Sequence, residues 1–122
     1  MLVVSMPDFK TQKTYADDER MQEGAEQACD LLKAIATPTR LMLLCSLMQG
    51  EMTVTQLCEA VGAKQSLTSH HLNRLRLSGL VATRRDEKFI YYRLADDVAK
   101  LIVGVLYERY CTGDQGENPE AA

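Results

Sequence analysis

The sequence of 122 residues contains no apolar run that approaches the roughly 18 residues a membrane span requires. Its apolar opening, Met1 to Val4, is interrupted by Ser5 and Pro7, so we expect neither a span nor a signal peptide. We therefore predict a cytoplasmic protein with no membrane partner. Hydrophobic residues make up 46% and charged residues 25% of the chain, which indicates one folded globular domain.

Motifs of enzymes are also missing. No carboxylate pair, glycine-rich phosphate loop or Ser-His-Asp order stands out, so we expect neither catalysis nor a cofactor. The adjacent His70 and His71 project about 100° apart on a helix and cannot chelate one metal ion together. We expect His71 to be half-buried and His70 to face a ligand. Without a secretory signal, the four cysteines are interpreted as reduced thiols: Cys29, Cys45, Cys58 and Cys111.

The net charge of −3 hides a strong asymmetry along the chain. Residues 62–94 contain seven cations and two anions, a local charge of +5, and the remainder therefore carries −8. A basic segment of this kind is either a solvated face or a surface for a polyanion. Its position in the fold has to decide between the two.

Hydrophobic spacing predicts four helices, a hairpin and a last helix. The first begins at Asp17, the second runs from Pro38 to a left-handed cap at Gly50, and the third begins at Thr53 in a capping box and stops at Gly62. The fourth covers 65–78, the hairpin strands cover 80–85 and 89–94, and the last helix starts at 96–97. We expect residues 1–16 to form a flexible arm, 17–111 the domain, and 112–122 a disordered acidic tail.

Only three residues, Gly62 to Lys64, separate the third and fourth helices, which fits a helix-turn-helix. A basic hairpin follows it directly. The sequence therefore predicts a mainly helical winged helix-turn-helix that binds double-stranded DNA, the alternative being a generic small α+β domain. The candidate contacts on the fourth helix and wing are Lys64, Gln65, Ser66, Thr68, Ser69, His70, Arg74, Arg84, Arg85 and Lys88. Thr68 is included although the apolar spacing also points it inward.

Four strings carry a resemblance to a known family: Leu32 to Leu41, Gln65 to Arg76, Gly79 to Val81 and Tyr91 to Leu94. Over about residues 20–111 the sequence resembles the ArsR/SmtB family of dimeric winged-helix repressors. The resemblance implies a homodimer built from the first and last helices, a palindromic operator, and release of DNA on sensing an inducer.

Neither metal site typical of that family is matched. The third-helix thiol positions carry Thr53 and Thr55, which are not soft ligands, so thiophilic metal sensing there is not expected. In the last helix, Asp97 is followed two residues later by Ala99, and Tyr110 and Gly113 stand at the late ligand positions. We therefore expect no metal at either site.

Cys45 and Cys111 instead resemble the thiol pair of the persulfide-responsive branch, the BigR, SqrR and HlyU type of repressor. The resemblance implies that reactive sulfur species or oxidants link these thiols by a disulfide or polysulfide. Cys29 and Cys58 do not match and are expected to be small buried hydrophobic residues. Two alternatives stay open: a metal-responsive repressor using the same thiols, and a thiol redox enzyme or persulfide carrier. The absence of a Cys-x-x-Cys motif disfavours the enzyme.

Overall fold

The computed structural model describes residues 19–112, so the predicted arm at 1–16 and residues 113–122 of the predicted tail lie outside it. The elements in chain order are α1 (Glu19–Ile35), α2 (Pro38–Leu47), β1 (Met52–Thr53), α3 (Val54–Val61), α4 (Gln65–Leu77), β2 (Val81–Asp86), β3 (Phe89–Leu94) and α5 (Asp97–Tyr110). The predicted class, a mainly helical winged helix-turn-helix, is confirmed.

The helix α1 begins at Glu19, whose acidic side chain suits the positive end of a helix dipole. The predicted start, Asp17, lies outside the described residues. A boundary between two units of the chain falls within α1, between Asp30 and Leu31. Residues 19–30 are all exposed, and Ile35 is the buried residue of the helix.

The start of α2 follows the sequence, but its end does not. The Thr37 side chain accepts a hydrogen bond from the Arg40 N–H at 3.1 Å, and Pro38 occupies the first turn, where its missing N–H costs nothing. The predicted left-handed cap at Gly50 is wrong. Met48 caps α2 in a right-handed conformation, and Gly50 adopts φ +143° in the loop beyond it.

The helix-turn-helix has the predicted boundaries. Thr53 accepts from the Gln56 N–H at 3.2 Å, and the Gln56 side chain accepts from the Thr53 N–H at 2.9 Å, which completes the capping box of α3. Gly62 ends α3 with φ +68°, a left-handed conformation that glycine adopts without the steric cost of a Cβ. The chain then reverses within three residues into α4.

The core lies among α2, α3, α4, α5 and the base of the sheet. Its fully buried large side chains include one or more from each helix after α1 and from the loop before β2: Leu43, Leu44, Leu57, Leu72, Leu75, Leu80 and Val103. The predicted inward spacing of α4, Thr68, Leu72 and Leu75, is confirmed. This packing fixes which face of α4 remains available to a ligand.

The wing is a three-stranded antiparallel sheet with the order β1-β3-β2. β2 pairs with β3 from Val81↔Leu94 to Asp86↔Phe89. The first strand of the hairpin therefore begins and ends one residue later than the predicted 80–85. β1, which pairs Met52 with Tyr92, was not predicted, because two residues carry no readable alternation.

The last helix, α5, has two apolar faces. The Asp96 carboxylate caps it by accepting from the Ala99 N–H at 2.8 Å. Ala99 and Val103 are fully buried, whereas Leu101 and Val105 are 55% and 62% exposed in the single chain. Among the helices described, none is long and apolar enough to cross a membrane.

Candidate nucleic-acid interface and thiol pair

The N-terminal half of α4 presents a polar surface. Lys64 stands at the N-cap position and makes no side-chain capping hydrogen bond, so its ammonium group projects free of the helix end. Gln65, Ser66 and His70 are exposed, and Ser69 is half-buried. Further along the helix, Arg74 is exposed as well. These side chains share one accessible surface, and short polar groups at a helix start suit hydrogen bonding to base edges.

Thr68 is a correction to the sequence-based set. Its side chain is fully buried, and its hydroxyl oxygen has no hydrogen-bond partner among the described residues. Thr68 therefore belongs to the buried face of α4, and its assignment to the DNA-contacting surface is wrong.

His71 is half-buried, as predicted, and Arg40 accounts for its environment. The Arg40 side chain donates to the Ala34 carbonyl at 2.6 Å and to the Lys33 carbonyl at 3.1 Å, and its Nη1 lies 3.4 Å from Nδ1 of His71. Arg40 therefore joins the end of α1 to α4 through α2. Burial lowers the pKa of His71, and the nearby Arg40 cation lowers it further. The neutral imidazole is the form that this contact favours.

The tip of the wing carries exposed cations. Arg85 is exposed, and within residues 19–112 its side chain makes no hydrogen bond or ion pair. Lys88 is exposed, with its ammonium 5.7 Å from the centre of the Phe89 ring. Between the strands, Glu87 takes φ +58°, an uncommon conformation for a residue with a Cβ, in a tight turn. The turn projects these cations beyond the body of the domain.

The side chain of Arg84, unlike that of Arg85, is engaged by neighbouring carboxylates. Its Nε donates to both carboxylate oxygens of Glu51, at 2.8 and 2.9 Å. Its guanidinium also stacks 4.6 Å from the centre of the Tyr91 ring and lies 3.8 Å from the Asp86 carboxylate. The DNA contact expected of Arg84 stays a prediction, and in this arrangement two carboxylates already engage its guanidinium. Glu51 was missed, since nothing in a sequence pairs residues 33 positions apart.

Cys45 and Cys111 are brought together. Cys45 is half-buried in α2, and Cys111 is exposed at the C-terminal cap of α5, where its backbone N–H donates to the Tyr107 carbonyl at 2.9 Å. Burial above all, together with the charge of the neighbouring Cys111 and a side-chain hydrogen bond with it, raises the pKa of Cys45 to about 11. At neutral pH the Cys45 thiol is therefore held protonated beside an accessible second thiol.

The two remaining cysteines are not the buried residues that were expected. Cys29 is exposed on α1 and Cys58 is half-buried on α3. The buried residue of α3 is Leu57, the neighbour of Cys58. Within residues 19–112, no cluster of three or more His, Cys, Asp or Glu side chains could hold a metal ion. Gly113, one of the positions compared with a family metal site, lies outside the described residues.

Comparison with known proteins gives consistent relatives. Residues 37–83 match the family described as bacterial regulatory protein, arsR family. The biofilm growth-associated repressor of Xylella fastidiosa strain Temecula1 is 41% identical over 97 residues, which cover 80% of this chain and 85% of that protein.

Two solved structures extend the likeness to the fold. Reduced HlyU from Vibrio cholerae is 35% identical with a TM-score of 0.73, covering 77% of this chain and 99% of that one. A homodimeric winged helix-turn-helix DNA-binding domain from Mycobacterium bovis, a possible ArsR-family regulator, is 28% identical with a TM-score of 0.67, covering 78% and 88%.

Proposed function

This chain belongs to the ArsR family of bacterial regulatory proteins, and we propose that it is a homodimeric repressor that leaves its operator when Cys45 and Cys111 become covalently linked. The single observation that carries the switch is the juxtaposition of these two thiols, one on α2 and one at the end of α5. Named relatives are transcriptional regulators, which supports regulation rather than catalysis.

DNA binding is supported by the polar surface of α4 and the cations of the wing. Gln65 has an amide that can pair with both polar groups of an adenine edge, and Ser66, Ser69 and His70 offer further hydrogen bonds. Lys64 and Arg74 flank that surface with positive charge, and Arg85 and Lys88 extend it along the hairpin. We assign base reading to α4 and sequence-independent phosphate contacts to the flanking and wing cations.

A homodimer is supported by the exposed apolar face of α5. Val98, Leu101 and Val105 lie on one side of that helix and are 54%, 55% and 62% exposed in the single chain. A continuous apolar surface of this kind marks an association site. Two-fold symmetry sets the two α4 helices on half-sites about one turn of DNA apart, which requires a palindromic operator.

The proposed switch uses thiol–disulfide chemistry with a sulfane sulfur donor, a hydropersulfide. The Cys111 thiolate is the first nucleophile, because it is exposed whereas Cys45 is half-buried and protonated. It attacks the outer sulfur of the donor, forms a Cys111 persulfide and releases the donor's thiol. The Cys45 thiolate then attacks Sγ of Cys111, forms the disulfide and expels hydrogen sulfide. Addition of further sulfane sulfur before closure gives a longer sulfur chain.

The covalent link can change DNA affinity because it joins α2, which packs against α4, to α5, the helix that carries the proposed dimerisation face. A disulfide requires Cα atoms roughly 4.4–6.8 Å apart, so forming it constrains both helices. An inducible loss of affinity of about 10- to 100-fold requires only about 1.4–2.8 kcal/mol of coupling.

The test is operator affinity before and after polysulfide treatment in four single variants. The operator is a duplex selected from a random-sequence pool with the reduced protein, and binding is followed by fluorescence anisotropy. Cys45→Ser and Cys111→Ser should bind DNA when reduced and fail to dissociate when treated. The matched controls Cys29→Ser and Cys58→Ser should respond as the parent does. Normal dissociation of Cys45→Ser would refute the dithiol switch.

A further inference from the structure

Glu51 connects the loop after α2 to the middle of the wing. It follows the last turn of α2, which Met48 caps, and directly precedes β1. Both of its carboxylate oxygens accept from Nε of Arg84, which lies 33 residues further along the chain. The side chains of Arg84 and Glu51 are 49% and 31% exposed, so this charge-assisted contact fixes geometry more than it adds stability.

The guanidinium of Arg84 is held on three sides. Arg84 stands opposite Tyr91 in the β2–β3 register, and Tyr91 stands opposite Thr53 in the β1–β3 register, so one row crosses all three strands. The Tyr91 ring covers the guanidinium at 4.6 Å, and Asp86 lies 3.8 Å away. With Glu51 and Asp86 included, this cluster carries a net charge of −1, so the positive charge of Arg84 is offset by its neighbours.

The neighbouring Arg85 provides the contrast. It stands opposite Ile90, on the other face of the hairpin, and no partner engages it within the described chain. The buried anchors of the hairpin are at its base, Val81 and Leu94, while residues 83–90 are all exposed. Beyond the row of Thr53, Tyr91 and Arg84 the hairpin is a two-stranded ribbon that can twist, so a contact at this row affects where the tip lies.

We infer that Glu51 and Arg84 form a positioning pair that fixes the wing against the loop after α2 and thereby sets where Arg85 and Lys88 meet the DNA. The inference rests on the proposed DNA-binding function. Neither residue of the pair touches DNA in this arrangement. Arg84 therefore contributes to affinity through geometry, and Arg85 contributes through charge.

The variant Glu51→Ala distinguishes a positioning role from a purely electrostatic one, because the two predict opposite changes in DNA affinity. The variant removes a negative charge near a polyanion and frees Arg84, so electrostatics alone predicts tighter binding. A positioning role predicts weaker binding of the reduced protein to the selected duplex, by about 3- to 10-fold. Tighter or unchanged binding of Glu51→Ala would overturn the pair.

Arg84 and Arg85 provide a matched comparison at constant charge. Arg84→Lys keeps the charge but loses the Nε–H donor, so binding should weaken as in Glu51→Ala, whereas Arg85→Lys should bind within about twofold of the parent. Arg85→Ala removes one phosphate contact from each protomer of the dimer, so it should lower the slope of log affinity against log salt concentration by about 1.8, at about 0.9 per contact, whereas Arg84→Ala should leave the slope unchanged. A reduced salt slope in Arg84→Ala would make Arg84 a phosphate contact.

The double variant Glu51→Ala/Arg84→Ala should bind no more weakly than either single variant, because each already breaks the same contact. Additive losses would contradict the pair.

A readout without DNA separates this inference from the proposed function. In ¹⁵N NMR spectra of the free reduced protein, Glu51→Ala should shift the Arg84 Nε–H resonance and increase fast motion of the amides at 84–90. If the parent binds no duplex, the proposed function fails, and unchanged resonances would overturn the pair independently.

Discussion

The protonated state of Cys45 leads to a quantitative prediction about thiol reactivity. Burial, assisted by Cys111, raises the pKa of Cys45 from its usual 9.0 to about 11. At pH 7 this lowers the thiolate fraction about 100-fold, from about 1% to about 0.01%. The more basic thiolate is a better nucleophile. With a Brønsted coefficient of about 0.45, its rate constant is roughly 8-fold higher, which offsets part of the lower thiolate fraction. Alkylation of Cys45 should therefore be about 10-fold slower than that of an ordinary thiol, before any steric hindrance.

The assay is alkylation of the reduced protein by iodoacetamide at low conversion, with each cysteine peptide quantified by mass spectrometry between pH 7 and 9.5. The rate at Cys45 should rise about tenfold for each pH unit across the whole range, because the midpoint lies beyond it. Cys111→Ser should accelerate alkylation of Cys45, since it removes the charge that Cys111 contributes, while burial remains and the serine hydroxyl can still hydrogen-bond. A rate that levels off near pH 9, or that is unchanged in Cys111→Ser, would refute the reasoning.

Three further predictions concern stability and assembly. Thr68→Val should raise the free energy of unfolding in urea by about 1–2 kcal/mol, because it removes a buried hydroxyl without a partner; a loss would indicate a hydrogen bond there. Val105→Glu should weaken dimerisation at least about 100-fold in sedimentation, because it introduces a charge on the exposed apolar face of α5, while Glu108→Gln should dimerise as the parent does. The parent should lose stability as pH falls below about 6.5, since the pKa of His71 is lowered in the folded state and unfolding takes up a proton. His71→Gln should reduce that pH dependence, and an identical profile would show that His71 is not responsible.

Local rules were enough to predict most of the fold. The capping box at Thr53, the left-handed Gly62 and the β-rich runs on either side of the hairpin turn each involve neighbours a few residues apart. Such features are readable because caps and periodicity depend on short stretches of chain. The exceptions were equally local in cause. The strand β1 is too short to show alternation, and a glycine near a helix end does not have to be its cap, as Gly50 shows.

The functional surfaces divide in the same way. The cations of the wing and the polar residues of α4 could be found from sequence, because charge asymmetry and helix order are written along the chain. Which of those side chains is free could not be found there. Burial of Thr68 follows from the packing of α4 onto the core, and the engagement of Arg84 follows from a carboxylate brought beside it by the sheet.

The sequence by itself determined the order of the elements, the helix-turn-helix and the resemblance that singled out Cys45 and Cys111, because these depend on residue type and spacing. Tertiary structure alone decided that the two thiols meet and that Cys45 is held protonated, since both depend on how α5 packs against α2. The tertiary structure also decided that the carboxylate of Glu51 pairs with the guanidinium of Arg84. Contacts between residues far apart in the chain arise only when the chain folds, and no local pattern encodes them.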